Sequence, residues 1–190
     1  KRMADKLELF AKKHIDGHAP GIHGKEVQAY RLAGVENDHE CSTAEEVLDK
    51  LRAGLHIYVR EGSGAKNLET LIKTMLDAGV CLDRCAFCTD DKHVEEIRKE
   101  GHISTCIRKA IALGVPVAKA YKMGSYQAAE FYGLKNYGAI GAGYRADIVF
   151  LDDLEQVRPL DVMKDGRILT EEDYAKDYSV PVPDELLHTV

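Results

Sequence analysis

Apolar positions along the chain alternate between short β-type runs and amphipathic helices of about three turns. Met3, Leu7, Phe10 and Ala11 recur at helical spacing, which predicts an opening helix over 1–13 with one apolar face. A second helix is predicted from Lys25 to Ala33, closed by Gly34, followed by a run from Val35 to Asp38. Thr43 and Glu46 have the spacing of a capping box in front of Val47, Leu48 and Leu51, and Gly54 ends that helix. Leu55 to Val59 reads as a strand. Asn67 reads as the cap of a helix whose Leu68, Leu71, Ile72, Met75 and Leu76 share a face up to Gly79. Arg84 to Thr89 is the next strand, and Ile103 to Tyr132 is helical, with Ser125 capping a short final helix that ends at Gly133.

The pattern then changes. Positions 136–144 are rich in glycine, Ala146 to Leu151 is β-type, and 156–163 and 167–169 flank Asp165-Gly166 as a hairpin. The tail from Glu171 onward, with Pro181 and Pro183, is expected to be irregular. A boundary near residue 138 therefore divides the chain into 1–137 and 138–190.

Strands alternating with helices predict parallel strands joined by crossover helices, hence an α/β fold. The polar residues that close successive units, His18, His39, Arg60 and Asp90, stand 21, 21 and 30 residues apart. That is the rhythm of a βα barrel or a doubly wound sheet. No glycine-rich phosphate fingerprint follows the first strand, which weakens a nucleotide-binding version.

Composition narrows the function classes. The net charge of −6, with no basic cluster, argues against a nucleic-acid partner. No apolar run approaches the ~18 residues of a membrane span. Five cysteines without small-domain spacing fit a reduced, cytoplasmic protein better than a disulfide scaffold. Parallel α/β folds place function where loops converge at the carboxyl ends of strands. Two imidazoles and a carboxylate gathered there would suit Zn²⁺, Mn²⁺ or Fe²⁺, and such an ion would generate hydroxide at neutral pH. A neighbouring carboxylate would pass the proton to a leaving group. A single histidine is more often structural, and His14, His23, His56 and His188, which lack the strand-end placement, are read that way; His93 and His102 suit a helix start as well as a pocket wall. Cys81, Cys85 and Cys88 are read as buried apolar-like thiols, because strand residues three apart face opposite ways. Arg60-Glu61 suits a rim ion pair, and Gly62-Ser63-Gly64 a close backbone approach to a ligand.

The segments Ile15-Asp16-Gly17-His18-Ala19-Pro20-Gly21, Asp38-His39-Glu40-Cys41, Arg60-Glu61-Gly62-Ser63 and Phe87-Cys88-Thr89-Asp90-Asp91, in this order and spacing, resemble the bacterial adenine deaminases of the amidohydrolase superfamily. Residues 138–147 resemble the superfamily's return from its barrel to a small β-sandwich. The resemblance implies the C-terminal half of a (β/α)8 TIM-like metal-dependent hydrolase barrel followed by part of that sandwich. It implies hydrolysis of adenine to hypoxanthine and ammonia in purine salvage, by a hydroxide made on a dinuclear Mn²⁺ or Fe²⁺ centre (Zn²⁺ being possible) that attacks C6. Carried over by motif, His18 and His39 are metal ligands and Asp90 is both ligand and proton shuttle. Arg60, Glu61, Ser63 and Asp91 are substrate-side candidates, and Asp91 competes with Asp90 for its role.

The family's first-strand His-x-His and fourth-strand bridging carboxylate are absent, and four βα units stand where a closed barrel has eight. The missing N-terminal half of the barrel is thus an expected partner, the complete enzyme is expected to be a homo-oligomer, and the isolated chain is expected to be inactive. Two other readings stand beside this one: a non-catalytic scaffold derived from an amidohydrolase, and a hydrolase of another cyclic amidine or amide.

Overall fold

The computed structural model describes residues 3–176 and 179–187. In chain order these form α1 (Met3–Leu9), α2 (Lys25–Leu32), β1 (Asn37–Asp38), α3 (Ala44–Arg52), β2 (His56–Arg60), α4 (Leu68–Asp77), β3 (Cys85–Cys88), α5 (Val94–Glu100), α6 (Ile103–Ala112), α7 (Val117–Gly124), α8 (Tyr126–Phe131), β4 (Ile148–Asp153), β5 (Arg158–Lys164), β6 (Arg167–Ile168) and α9 (Glu171–Ala175). Strands β1, β2 and β3 make a parallel sheet in that order, with Asn37 opposite His56 and Arg60 opposite Cys88. Strands β4, β5 and β6 make a separate antiparallel sheet. Among the described residues, neither sheet closes into a barrel.

Alternation along β2 and β3 sorts the two faces of the parallel sheet. Ile57, Val59, Cys85 and Phe87 pack against α3, α4 and α6 in the main core, while Tyr58 and Ala86 meet Phe131 of α8 on the other side. Leu68, Leu71, Ile72 and Met75 of α4 are fully buried, as their common face predicts, and Leu76 of the same face is partly buried against the core. The Thr43–Glu46 capping box forms. Asp165 and Gly166, both at positive φ, close the β5–β6 hairpin, the backbone that a two-residue type I′ loop demands.

Several expectations are corrected. Of the four βα units read from the sequence, the one closed by His18 has no strand among the described residues. Residues 14–18 run beside β1, where the Ile15 carbonyl accepts from the Glu36 N–H at 3.2 Å. The Gly17 N–H is taken by the Asn37 side-chain oxygen at 2.9 Å, so a side chain stands where a second ladder bond would be. The predicted apolar face of the opening helix is not a core face: α1 ends at Leu9 and buries nothing, and Met3 and Phe10 are exposed. Asn67 and Ser125 start α4 and α8 without capping bonds, since the Asn67 amide donates to the Cys41 carbonyl and the Ser125 hydroxyl to that of Tyr121. Helix α5 was not expected, and the tail contains α9, opened by a Thr170–Asp173 capping box. Cys85 is buried in the main core and Cys88 half-buried on the opposite face, but Cys81 is exposed. Burial pushes Cys85 and Cys88 up to about 12, which disfavours the thiolate that a metal would need. His188 lies outside the described residues.

One histidine gives the fold a pH dependence. The His56 ring packs edge-on against Phe131 with centroids 3.6 Å apart, and its buried Nδ1 has no hydrogen-bond partner among the described residues. Burial, followed by the nearby positive charges of Arg84, His14 and Arg31, lowers its pKa to about 4. The unfolded chain takes up that proton at about 6.5. The unfolded state therefore binds more protons between those values, and stability falls as pH drops from about 6.5 to 4. We expect urea midpoints to decline across that window, and His56→Leu to flatten this part of the decline. An unchanged slope in His56→Leu would assign the effect to other groups.

Candidate metal centre

All three parallel strands deliver their carboxyl ends to one rim. His39 and Glu40 follow β1, Arg60 ends β2, and Thr89-Asp90-Asp91 turns out of β3 with Asp90 at φ 49°. His18 reaches the same rim from the extended 14–18 run. His18 Nδ1 lies 3.4 Å from His39 Nε2, and Glu40 Oε1 lies 3.5 Å from the first and 3.3 Å from the second. This nearly equilateral triangle matches the ~3.3 Å edge that ligands at ~2.0–2.1 Å subtend on a tetrahedral ion. The donor set, two imidazole nitrogens and a carboxylate oxygen, suits Zn²⁺, Mn²⁺ or Fe²⁺. The three residues grade from exposed His18 through His39 to Glu40, whose side chain is only 13% exposed.

Glu40 was absent from the sequence-derived ligand set. Strand alternation would put it opposite His39, but β1 stops at Asp38, whose Oδ2 accepts the Glu40 N–H at 3.0 Å and turns the chain. That turn brings neighbouring residues to the same side, and the aspartate directly before His39-Glu40 was the available signal.

Asp90 does not join the triangle directly. Its Oδ2 accepts from Arg60 Nη1 at 2.8 Å, and the same nitrogen donates to Glu40 Oε1 at 2.5 Å. Arg60 thus connects Asp90 to the imidazole cluster as a largely buried cation, its side chain 11% exposed. Asp91 is spent elsewhere: its carboxylate accepts the backbone N–H groups of Ser63 and Gly64, and these bonds, the Gly64 one foremost, hold its pKa below the usual carboxylate range. Ser63 donates its hydroxyl to Glu96 and accepts the His93 N–H. Glu61 is buried and receives Lys109 at 2.5 Å. The structure therefore brings His18, His39 and Glu40 together, ties Asp90 to them through Arg60, and engages Glu61, Ser63 and Asp91 in bonds outside the triangle.

Residues 2–169 match the Amidohydrolase family. Adenine deaminase from Desulfitobacterium hafniense (strain Y51) is 45% identical over 155 residues, which are 82% of this chain and 27% of that protein. Adenine deaminase from Gluconobacter oxydans (strain 621H) is 46% identical over 167 residues, 88% of this chain and 29% of that protein. The chain thus spans less than a third of the length of these curated relatives. Among solved structures, the β-aspartyl dipeptidase of Fervidobacterium islandicum AW-1 superposes with a TM-score of 0.69 at 17% identity, over 95% of this chain and 57% of that one. The N-acetylglucosamine-6-phosphate deacetylase of Pasteurella multocida gives 0.66 at 14%, over 88% and 54%. At these identities the superpositions speak to fold alone. No helix among the described residues is long and apolar enough to cross a membrane.

Proposed function

Because this chain belongs to the amidohydrolase family, we propose that it supplies part of the catalytic centre of an enzyme that hydrolyses adenine to hypoxanthine and ammonia. In this reading residues 1–137 form the C-terminal half of the barrel and 138–190 the return and part of the sandwich. The remaining barrel strands come from sequence beyond this chain.

The single observation that carries the proposal is the triangle of His18, His39 and Glu40. Those three would hold one divalent ion, Mn²⁺, Fe²⁺ or Zn²⁺. Asp90 and further ligands from the other half of the barrel would hold the second ion of a dinuclear centre. When bound, such an ion lowers the pKa of water to about 7 and so provides a nucleophile at neutral pH. The chain's own residues then have distinct tasks. Asp90, anchored through one oxygen on Arg60 and still 38% exposed, takes up a proton at its carboxylate and returns it to the departing amine. Arg60 fixes the orientation of both Asp90 and Glu40. The loop at Gly62-Ser63-Gly64, held by Asp91, borders the rim on the β2 side and sets how closely a purine can approach. The identity of the relatives over the stretch containing these motifs supports adenine as the substrate.

Metal titration tests the centre. The chain is expected to bind Mn²⁺ in calorimetry, and His39→Ala to weaken that binding by about 100-fold, at or beyond the upper range for loss of a supporting residue. Equal affinity in both would favour the non-catalytic scaffold. The chain alone is expected to release no ammonia from adenine, because half of the site is supplied from elsewhere. Turnover by rigorously purified, metal-loaded chain would overturn the division of the site.

A further inference from the structure

We propose that Asp38 and Lys50, with Glu46 beside them, form a buried positioning device that sets the spacing between His18 and His39. The inference rests on the reading of the His18, His39 and Glu40 triangle as a metal site. It adds residues that touch neither ion nor substrate.

The cluster is sealed. Lys50 and Asp38 have no exposed surface, and Glu46 is 2% exposed. Lys50 Nζ donates to Asp38 Oδ2 at 2.9 Å and to the Ala19 carbonyl at 2.7 Å. Asp38 Oδ1 accepts the Ala19 N–H at 2.8 Å, and Asp38 Oδ2 accepts the Glu40 N–H at 3.0 Å. A single carboxylate therefore holds the residue after His18 and the residue after His39. The ammonium of Lys50 holds the first of these a second time. Glu46 extends the grip: its Oε1 accepts the Gly21 N–H at 2.6 Å, and its Oε2 accepts the N–H groups of Ser42 and Thr43. Burial works to raise Glu46, yet the Ser42 and Gly21 hydrogen bonds outweigh it and hold its pKa near 2, so the carboxylate stays charged.

The loops carrying the two imidazoles, 21 positions apart in sequence, are thus tied to one ion pair behind the rim. A buried ion pair is poor at adding stability, since apolar residues of similar volume do as well or better. What an apolar substitute cannot do is hold three backbone groups, the Ala19 N–H and carbonyl and the Glu40 N–H, at hydrogen-bond distance. Metal ligation tolerates displacements of only ~0.2 Å in bond length, so a device that fixes both loops to one carboxylate acts directly on affinity.

The test separates affinity from stability in the 190-residue chain, using Mn²⁺ as the probe in calorimetry. Asp38→Asn and the double variant Asp38→Asn/Lys50→Met are each expected to lower Mn²⁺ affinity 10- to 100-fold, the range for outer partners of metal ligands. The double variant removes the Asp38–Lys50 pair as a unit, so Asp38 is not left buried without its cation as in Lys50→Met alone, and Glu46 keeps its bonds from the Gly21, Ser42 and Thr43 N–H groups. Leu71→Ala, a core truncation in α4 that touches neither loop, is the destabilised control and is expected to keep its affinity within about twofold. Urea unfolding of each variant confirms that titrations are run on folded protein. Affinity in the double variant within twofold of wild type would overturn the inference, as would an equal loss in Leu71→Ala. If His39→Ala itself binds Mn²⁺ like wild type, the metal-site reading fails and this inference with it. If His39→Ala loses binding while the double variant retains it, only the positioning role fails.

Discussion

Replacing Gly17 with alanine is expected to lower the unfolding free energy by about 3 kcal/mol, at the high end for overpacking a closed site. A Cβ at this position would stand 1.9 Å from the backbone oxygen of Asn37 and 2.9 Å from Val35 Cγ1. The first contact is with the backbone of β1, which is held in register by its pairing with β2, so no side chain can swing aside. The relief has to come from the 14–18 run, and its movement breaks the Gly17 bond to Asn37 and the Ile15–Glu36 backbone bond. His18 is the next residue, so Mn²⁺ affinity should fall at least tenfold in the same variant. Gly21→Ala is the comparison: it sits at φ 72° with open space around the added carbon, and only its left-handed backbone is penalised, by about 1 kcal/mol. Urea unfolding of both variants checks this. Near-wild-type stability in Gly17→Ala would mean that the 14–18 run does not lie against β1.

The same contact shows why the sequence pattern reached as far as it did. Elements whose signals are local were legible: the Thr43–Glu46 box, the fully buried face of α4, and the Asp165-Gly166 turn all depend on residues within a few positions of one another. The rim position of His39 was legible as well, because parallel strands carry their ends to the same side, whereas His18 reaches that rim from the 14–18 run beside β1 and not from a strand end. What failed depends on partners far away in sequence. The 14–18 run looks like a strand until the Asn37 side chain claims the Gly17 N–H. The apolar residues of α1 have helical spacing, but the described residues offer them no core to enter. Glu40 was hidden by an alternation rule that ends where the strand ends. Arg60 was expected at the rim, whereas its role in joining Glu40, 20 positions before it, to Asp90, 30 positions after it, required the β2–β3 pairing in three dimensions.

That Arg60 contact leads to opposite effects with and without metal. Its Nη1 stands between two carboxylates, those of Glu40 and Asp90, which is the electrostatic work a divalent ion at this rim would also do. Arg60→Met preserves much of the apolar stem but removes the cation, leaving Glu40 largely buried beside a second carboxylate. Loss of one partner from a fully buried pair costs about 3–5 kcal/mol. Asp90 is 38% exposed and partly screened by water, which reduces the expected cost in chelator to about 2–3 kcal/mol. Added Mn²⁺ supplies the missing positive charge, so it should bind the variant more tightly and stabilise it by more than it stabilises wild type. At a concentration 100 times the dissociation constant, binding adds about 2.7 kcal/mol, enough to offset most of the deficit. Thermal or urea unfolding of both proteins, in chelator and in Mn²⁺, provides the four values required. An equal metal-induced gain in both would show that Arg60 and the ion do not act on the same carboxylates. A deficit in chelator with a larger gain in Mn²⁺ would tie the guanidinium and the ion to one electrostatic site, the carboxylates of Glu40 and Asp90.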